Sequence, residues 1–286
     1  MAFELFTQLF TKIDQSTEKY VTEISSQAIS AITPVVSVGL TLSFILYGWL
    51  IIRGAVDMPI ANFMGRCIRI ALITSLALTS GLYQKDIAKI VTDVPDELVS
   101  ALIKNTKSNI KDNNVAAGLI DQAAGQGFNR ASEAFEEAAF FGSDGLIYGL
   151  FGILILLSTS ILVAIGGGFI LLAKIALSLL AGLGPLFIVA LLWQPTYRFF
   201  EQWISQVLNY GLLILLFSTI FSIMMNIFNN YVKEIKFDGT QNVSYALGGV
   251  LILSVISIVL LIKLSKVADV LAKGFSLRRL WDINAK

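Results

Sequence analysis

Long apolar blocks alternate with polar stretches along the chain, and the blocks set the first reading. Residues 1–32 carry Phe3, Phe6, Phe10, Ile13, Tyr20, Ile24 and Ala28 at three- and four-residue spacing, with one two-turn step. That period predicts an amphipathic helix lying on a membrane or on its neighbours. A first span is predicted from about Ala28 to Ile52, with Pro34 near its start and Trp49 and Arg53 at its end. A second runs from about Ile60 to Leu82. A helix needs ~20 apolar residues to cross a bilayer, and 70–83 alone is too short. Arg66 and Arg69, three apart on one helix face, therefore either snorkel to one interface or line a polar interior. Their place near one end of the span favours snorkelling.

Residues 84–144 form a polar segment. Asp93-Val94-Pro95-Asp96-Glu97 predicts a helix start with Asp93 as N-cap. Asp112-Asn113-Asn114 and Gly125-Gln126-Gly127 predict breaks, and Phe128 to Phe141 a second helix. The segment is too long for a simple connection, which points to an interaction region. Residues 145–193 are apolar apart from Lys174 and a few small polar side chains. The block is long enough for two spans, with a bend predicted at Gly166-Gly167-Gly168. Gly182-Leu183-Gly184-Pro185 predicts an interruption in its second half, because Pro185 lacks an amide donor and crowds the preceding turn. After a polar, aromatic stretch from Pro195 to Gln206, further spans are expected at about Ile204–Asn229 and Ala246–Leu264.

The expected fold is therefore all-α and polytopic, with about five transmembrane helices and six as the other count. Its regions are an amphipathic N-terminal segment, 1–27, a two-helix membrane unit, 28–83, and a polar helical central region, 84–144. A transmembrane core with a broken helix, 145–264, and a basic tail, 265–286, complete it. Composition agrees: 56% of the 286 residues are hydrophobic and 14% charged, against ~45–50% and ~25% in soluble domains. The first basic residue, Lys12, follows acidic Glu4, so no cleavable signal is expected at the N-terminus.

Charge asymmetry sets the expected orientation. The first 27 residues have two basic and four acidic side chains, and 84–144 have six and ten. Both read as outside. Arg53, Arg66 and Arg69 read as cytoplasmic-side anchors. So do Arg278 and Arg279, in a tail with five basic and two acidic residues. Five spans satisfy these charges, with 145–193 as one full span plus a re-entrant or kinked hairpin; six would place both tails on one side.

The inventory excludes much chemistry. Histidine is absent and Cys67 is the only cysteine, so the common general base, a serine triad and cysteine-based metal sites are all missing. No phosphate-binding loop is present. The apolar spans contain no Asp or Glu, which argues against intramembrane aspartyl chemistry and most proton-coupled transport. We expect no enzymatic activity and no cofactor. Gly145, Gly149 and Gly152 form a small-residue face suited to close helix packing, within the chain or between subunits. Asn209 and Asn226 either face a pore or hydrogen-bond between helices. Trp49, Trp193 and Trp203 read as interface markers. The Asn242-Val243-Ser244 sequon carries little weight.

The stretch GLGPLFIVALLWQPTYRFFEQWISQVLNYG, Gly182 to Gly211, resembles a signature of the polytopic inner-membrane channel subunit of type IV secretion systems. This is the TrbL-like family that includes the sixth VirB protein. The resemblance rests on Gly184-Pro185-Leu186-Phe187, a following proline, Arg198, Phe200-Glu201, Trp203 and Asn209-Tyr210. The layout matches over most of the chain, though the central region lacks the large extensions of some relatives. The resemblance implies a bacterial inner-membrane protein with periplasmic N-terminus and central region and cytoplasmic C-terminus. It implies a ring-like homo-oligomer forming part of the passage for DNA–protein or effector substrates and supporting pilus assembly. Its implied partners are the pilin, the minor pilin, other inner-membrane secretion components including separate ATPases, and membrane lipid. Gly184, Pro185, Arg198, Glu201, Trp203, Asn209 and Tyr210 are the channel and assembly candidates. Arg198 and Glu201 are spaced to pair on a helix.

Two other readings stand beside this one. A stand-alone secondary transporter of a small solute draws support from the interrupted helix at Gly184-Pro185 and from Lys174, against few spans and no visible repeat. An intramembrane enzyme has almost nothing in the residue inventory.

Overall fold

In the computed structural model every regular element among the described residues is helical. These residues are 3–54, 60–103, 115–140, 145–235 and 243–273. Eight α-helices follow in order: α1 (Leu5–Ile52), α2 (Ile60–Leu78), α3 (Ser80–Leu82), α4 (Lys89–Ile103), α5 (Val115–Phe140), α6 (Gly145–Val189), α7 (Tyr197–Glu234) and α8 (Val243–Lys273). A π-helical turn, Tyr83–Ala88, joins α3 to α4. Two 3-10 turns, Ala190–Leu192 and Gln194–Thr196, join α6 to α7.

Among the described residues four helices are long and apolar enough to cross a membrane, or five when the bent pair formed by α2 and the elements after it counts as one span. This agrees with the five-span reading of an all-α polytopic protein. The predicted amphipathic segment and first span are one helix, the 48-residue α1, with Pro34 inside it. Gly54 ends α1 in the left-handed region, φ 68°, where its amide bonds Ile51 at 2.9 Å.

Several local expectations are corrected. The second span does not run unbroken to Leu82; it breaks at Thr79, and the chain turns by 70°. Asp93 does not cap a helix start. The π-helical turn delivers the chain to Lys89 already helical, and Asp93 accepts a bond from Thr92 instead. No break occurs at Gly125-Gln126-Gly127, which lies inside the alanine-rich α5. The expected hairpin in 145–193 is absent, because α6 runs through all three central glycines and past Pro185 to Val189. Gly166 and Gly167 serve approach instead: a Cβ on either would overlap the ring of Phe221 or Phe6. The Asp112-Asn113-Asn114 break and Asn242 of the sequon lie outside the described residues.

The contacts divide the chain into two units. One contains the described parts of Met1–Asp14, Val94–Ile175 and Asn209–Gly274. Its core is built from Phe10, Ile120, Phe151, Ile155, Leu162, Ile170, Phe217, Phe221 and Phe228. Within it α6 and α7 meet through Phe169 and Phe217, whose rings lie 4.8 Å apart. Phe3 packs edge-on against Phe128 of α5 at 5.2 Å. The other contains the described parts of Gln15–Asp93 and Ala176–Leu208: most of α1, then α2, α3 and the π-helical turn, the end of α6 and the start of α7.

Candidate functional site

The second unit gathers the most distinctive residues of the sequence around a single defect in α6. Pro185 has no amide hydrogen, so the carbonyl of Ala181, one turn back, loses its helical donor. The structure supplies another: the Tyr83 hydroxyl, from the first position of the π-helical turn, donates to the Ala181 oxygen. One residue earlier, the Trp203 indole Nε1 donates to the Leu180 carbonyl at 2.9 Å. The carbonyl freed by the proline is thereby satisfied by a side chain, as an apolar environment requires. Gly184 is needed at this point, since a Cβ there would collide with the Tyr83 hydroxyl and sit 3.1 Å from the Trp203 ring.

Trp203 is only 4% exposed. It stacks on Phe187, with ring centroids 6.1 Å apart and planes 12° apart, and leans on Phe200 at 5.7 Å. This corrects its reading as an interface marker; it is a core donor. Trp193 packs against Gly39 of α1, while Trp49 remains exposed. Gln84, next to Tyr83, donates to the Thr22 carbonyl at 3.0 Å and to Ser25 and Ser26 at 3.0 and 2.9 Å. The π-helical turn thus reaches both α1 and α6. Sequence reasoning missed Tyr83. The available signal was a tyrosine in an apolar run, and nothing local ties it to a proline about 100 residues on.

The remaining candidates are placed as follows. Arg198 is exposed and Glu201 half-buried in the first turns of α7, and no ion pair joins them among the described residues. Tyr210 is half-buried. Asn209 is half-buried, with its Oδ1 enclosed and without a partner among the described residues. Asn226 is exposed and accepts a bond from Asn230 on its own helix at 3.3 Å. Gly145 and Gly152 lie against α5: a Cβ on the first would overlap the Ala138 carbonyl, and one on the second would approach the Phe135 ring at 2.9 Å. Gly149 faces the Ala138 methyl at 3.9 Å. Arg53, Arg66 and Arg69 are exposed, and Arg278 and Arg279 lie outside the described residues.

The first unit contains a charged centre that the sequence did not disclose. Lys174 on α6 has a side chain 8% exposed. Its Nζ lies 2.8 Å from an Asp96 oxygen on α4 and 3.2 Å from Asp14 Oδ2 on α1, with the Phe10 ring 5.5 Å away. The stretches predicted as spans carry no Asp or Glu, but the helices that contain them are longer and do: Asp14 on α1 and Asp96 on α4 reach the lysine. Asp121 on α5, also buried, accepts the amides of Phe6 and Thr7 at 2.9 and 2.7 Å. It caps the start of α1 across more than a hundred residues.

Apolar helices of spanning length, stitched together by buried polar contacts, define a polytopic α-helical membrane protein. A family model described as TrbL/VirB6 plasmid conjugal transfer protein matches residues 40–264, and the chain belongs to that family. It is similar to the type IV secretion system protein VirB6 of Brucella abortus, 27% identical over 236 residues, covering 81% of this chain and 67% of the relative. It is also similar to VirB6 of Bartonella henselae, 26% identical over 259 residues, 88% of this chain and 75% of the relative, and to that of Bartonella quintana, 27% identical over 251 residues, 86% and 72%. The chain is a membrane component of a type IV secretion or conjugation system and works with other components of that system. The apolar helices and the family together support an inner-membrane location.

Proposed function

We propose that this protein forms part of the substrate translocation channel of its secretion machine and a scaffold for pilus assembly. It acts as a ring-like homo-oligomer, without catalysis or a cofactor of its own. Its partners are the pilin, the minor pilin and other inner-membrane components, including the ATPases that supply energy. DNA–protein complexes are among the substrates it passes. Its N-terminus and central region lie in the periplasm and its C-terminus in the cytoplasm.

The observation that carries this reading is the use made of the residues of the resemblance. Gly184, Pro185 and Trp203 are consumed in bracing a proline-containing helix against Tyr83, rather than in presenting reactive groups. That suits a rigid wall or platform. Arg198, exposed beside this centre in the same unit, is available to a partner.

Purification from the native host in mild detergent, with mass spectrometry of co-purifying proteins and of particle mass, tests the proposal. Pilins, a minor pilin or ATPases in a particle several times 31.2 kDa are the expected result. A lone monomer without partners would transfer the case to solute transport, for which the buried Lys174–Asp14–Asp96 centre is the supporting feature. Trp203→Ala and Arg198→Ala are expected to impair transfer or pilus formation while the protein persists in the membrane. Normal transfer and normal pili in both would remove this stretch from the function.

A further inference from the structure

The end of α1 and the beginning of α2 carry a second built feature, separate from the proline centre. Trp49, in the last turn of α1, and Arg53, just past its end, lie four residues apart and on one side of the chain. The Arg53 guanidinium sits 4.2 Å from the Trp49 ring centroid. Two residues before Trp49, Tyr47 receives the guanidinium of Arg66 from α2 at 4.6 Å. Phe44 and Phe63, three residues before each member of that pair, meet edge-to-face at 6.5 Å and fix the two helices together.

Both guanidiniums are exposed, and among the described residues neither lies within ion-pair distance of a carboxylate. A guanidinium stacked on an aromatic face has its plane fixed while its N–H donors remain directed outward. Tyr47 and Trp49, two residues apart, lie on different faces of α1, so the two cations are held on separate sides of the end of an apolar helix. Trp and Tyr at such an end mark the headgroup level of a bilayer. Arg69, three residues beyond Arg66, adds charge on the same face but has an interaction of its own and is not counted among the ligands. The surrounding stretch 46–76 contains Arg53, Arg66 and Arg69 against Asp57 alone.

We infer that Arg53, oriented by Trp49, and Arg66, oriented by Tyr47, each hold the phosphate of an anionic phospholipid from the surrounding bilayer. The ligand chemistry is a phosphate diester bearing acyl chains. The guanidinium donors take the phosphate oxygens, and the exposed apolar residues beside them, Phe63, Met64 and Ile68, take the chains. The inference depends only on the chain's being a membrane protein and not on its role in secretion.

The full chain, purified in mild detergent, is equilibrated with equal amounts of phosphatidylcholine, phosphatidylglycerol and cardiolipin. Retained lipid is then counted by native mass spectrometry. Retention of an anionic lipid well above phosphatidylcholine, declining as salt is raised, is the expected result. Arg53→Gln and Arg66→Gln are each expected to weaken anionic-lipid retention about fivefold, the loss associated with one basic residue at a membrane surface. Tyr47→Leu is expected to weaken it while leaving the charge unchanged.

Equal retention of neutral and anionic lipid would overturn the site, and so would unchanged retention in both arginine variants. Displacement by excess inorganic phosphate as readily as by phosphatidylglycerol would overturn the lipid assignment in favour of a free-anion site. Lipid selectivity and salt dependence are read on the unaltered chain, so a variant that fails to insert does not remove the test. Failure to recover secretion partners would leave lipid selectivity untouched, which separates this inference from the proposed function.

Discussion

At Pro185 the missing amide hydrogen and the Tyr83 hydroxyl are two halves of one arrangement. A buried carbonyl without a donor costs about 1–3 kcal/mol, so Tyr83→Phe should destabilise the protein by about that much. Pro185→Ala restores an amide donor to Ala181. The double variant should therefore be less destabilised than the sum of its parts, by about 0.5–3 kcal/mol of coupling. Thermal unfolding of the four proteins in one detergent measures it, and strict additivity would disprove the repair. Gly184→Val places a branched side chain on the same hydroxyl and should cost about 1–3 kcal/mol or more. Lys174 provides the complementary lesson. Removing both acids, in Asp14→Asn with Asp96→Asn, strips a buried ammonium of both carboxylates, a change of about 3–5 kcal/mol in comparable cases. Lys174→Met instead replaces the buried charge with an apolar side chain and leaves two carboxylates with water access. We expect the lysine variant to unfold at the higher temperature of the two.

Elements in this chain end or continue for reasons that are mostly not local. Gly54 stops α1 by its own conformation, and that ending is legible in the sequence. Gly166-Gly167-Gly168 equally looks like a bend, yet α6 runs through it because Phe6 and Phe221 occupy the space a Cβ would need. The start of α1 is the clearest long-range case. Its first amides have no helical acceptor, and Asp121 from α5 accepts two of them. Replacing Asp121 by Ala should release those amides. Hydrogen exchange at Phe6 and Thr7 is expected to accelerate strongly in Asp121→Ala, while exchange in the middle of α6 stays slow. Unchanged protection at both amides would show that the carboxylate does not hold this terminus.

For the molecule as a whole, large apolar side chains remain exposed along α1, α6 and α8, among them Ile45, Leu46, Leu150, Leu157, Ile252 and Val255. In water such surface would drive aggregation; in a bilayer it is the ordinary exterior. Orientation belongs to this scale because it follows from summed charge rather than from any contact. An alkaline phosphatase fusion after Lys286 should be inactive, and one inserted between Ile103 and Val115 should be active in the periplasm. The reverse pattern would invert the proposed topology and move Arg53 and Arg66 to the outer face.

The spans were legible because the bilayer requires length and apolarity of each helix separately, a demand written in consecutive residues. The family was legible for a related reason: Gly184, Pro185, Arg198 and Trp203 lie in one short stretch. Lost to the sequence was every relation joining positions far apart. Tyr83 answers Pro185, Asp14 and Asp96 answer Lys174, and Asp121 answers the first amides of α1. Each is a buried polar group whose partner is chosen by proximity in space. Local spacing states that a donor is missing or a charge must be paired, and only the tertiary structure decides which distant residue meets that need.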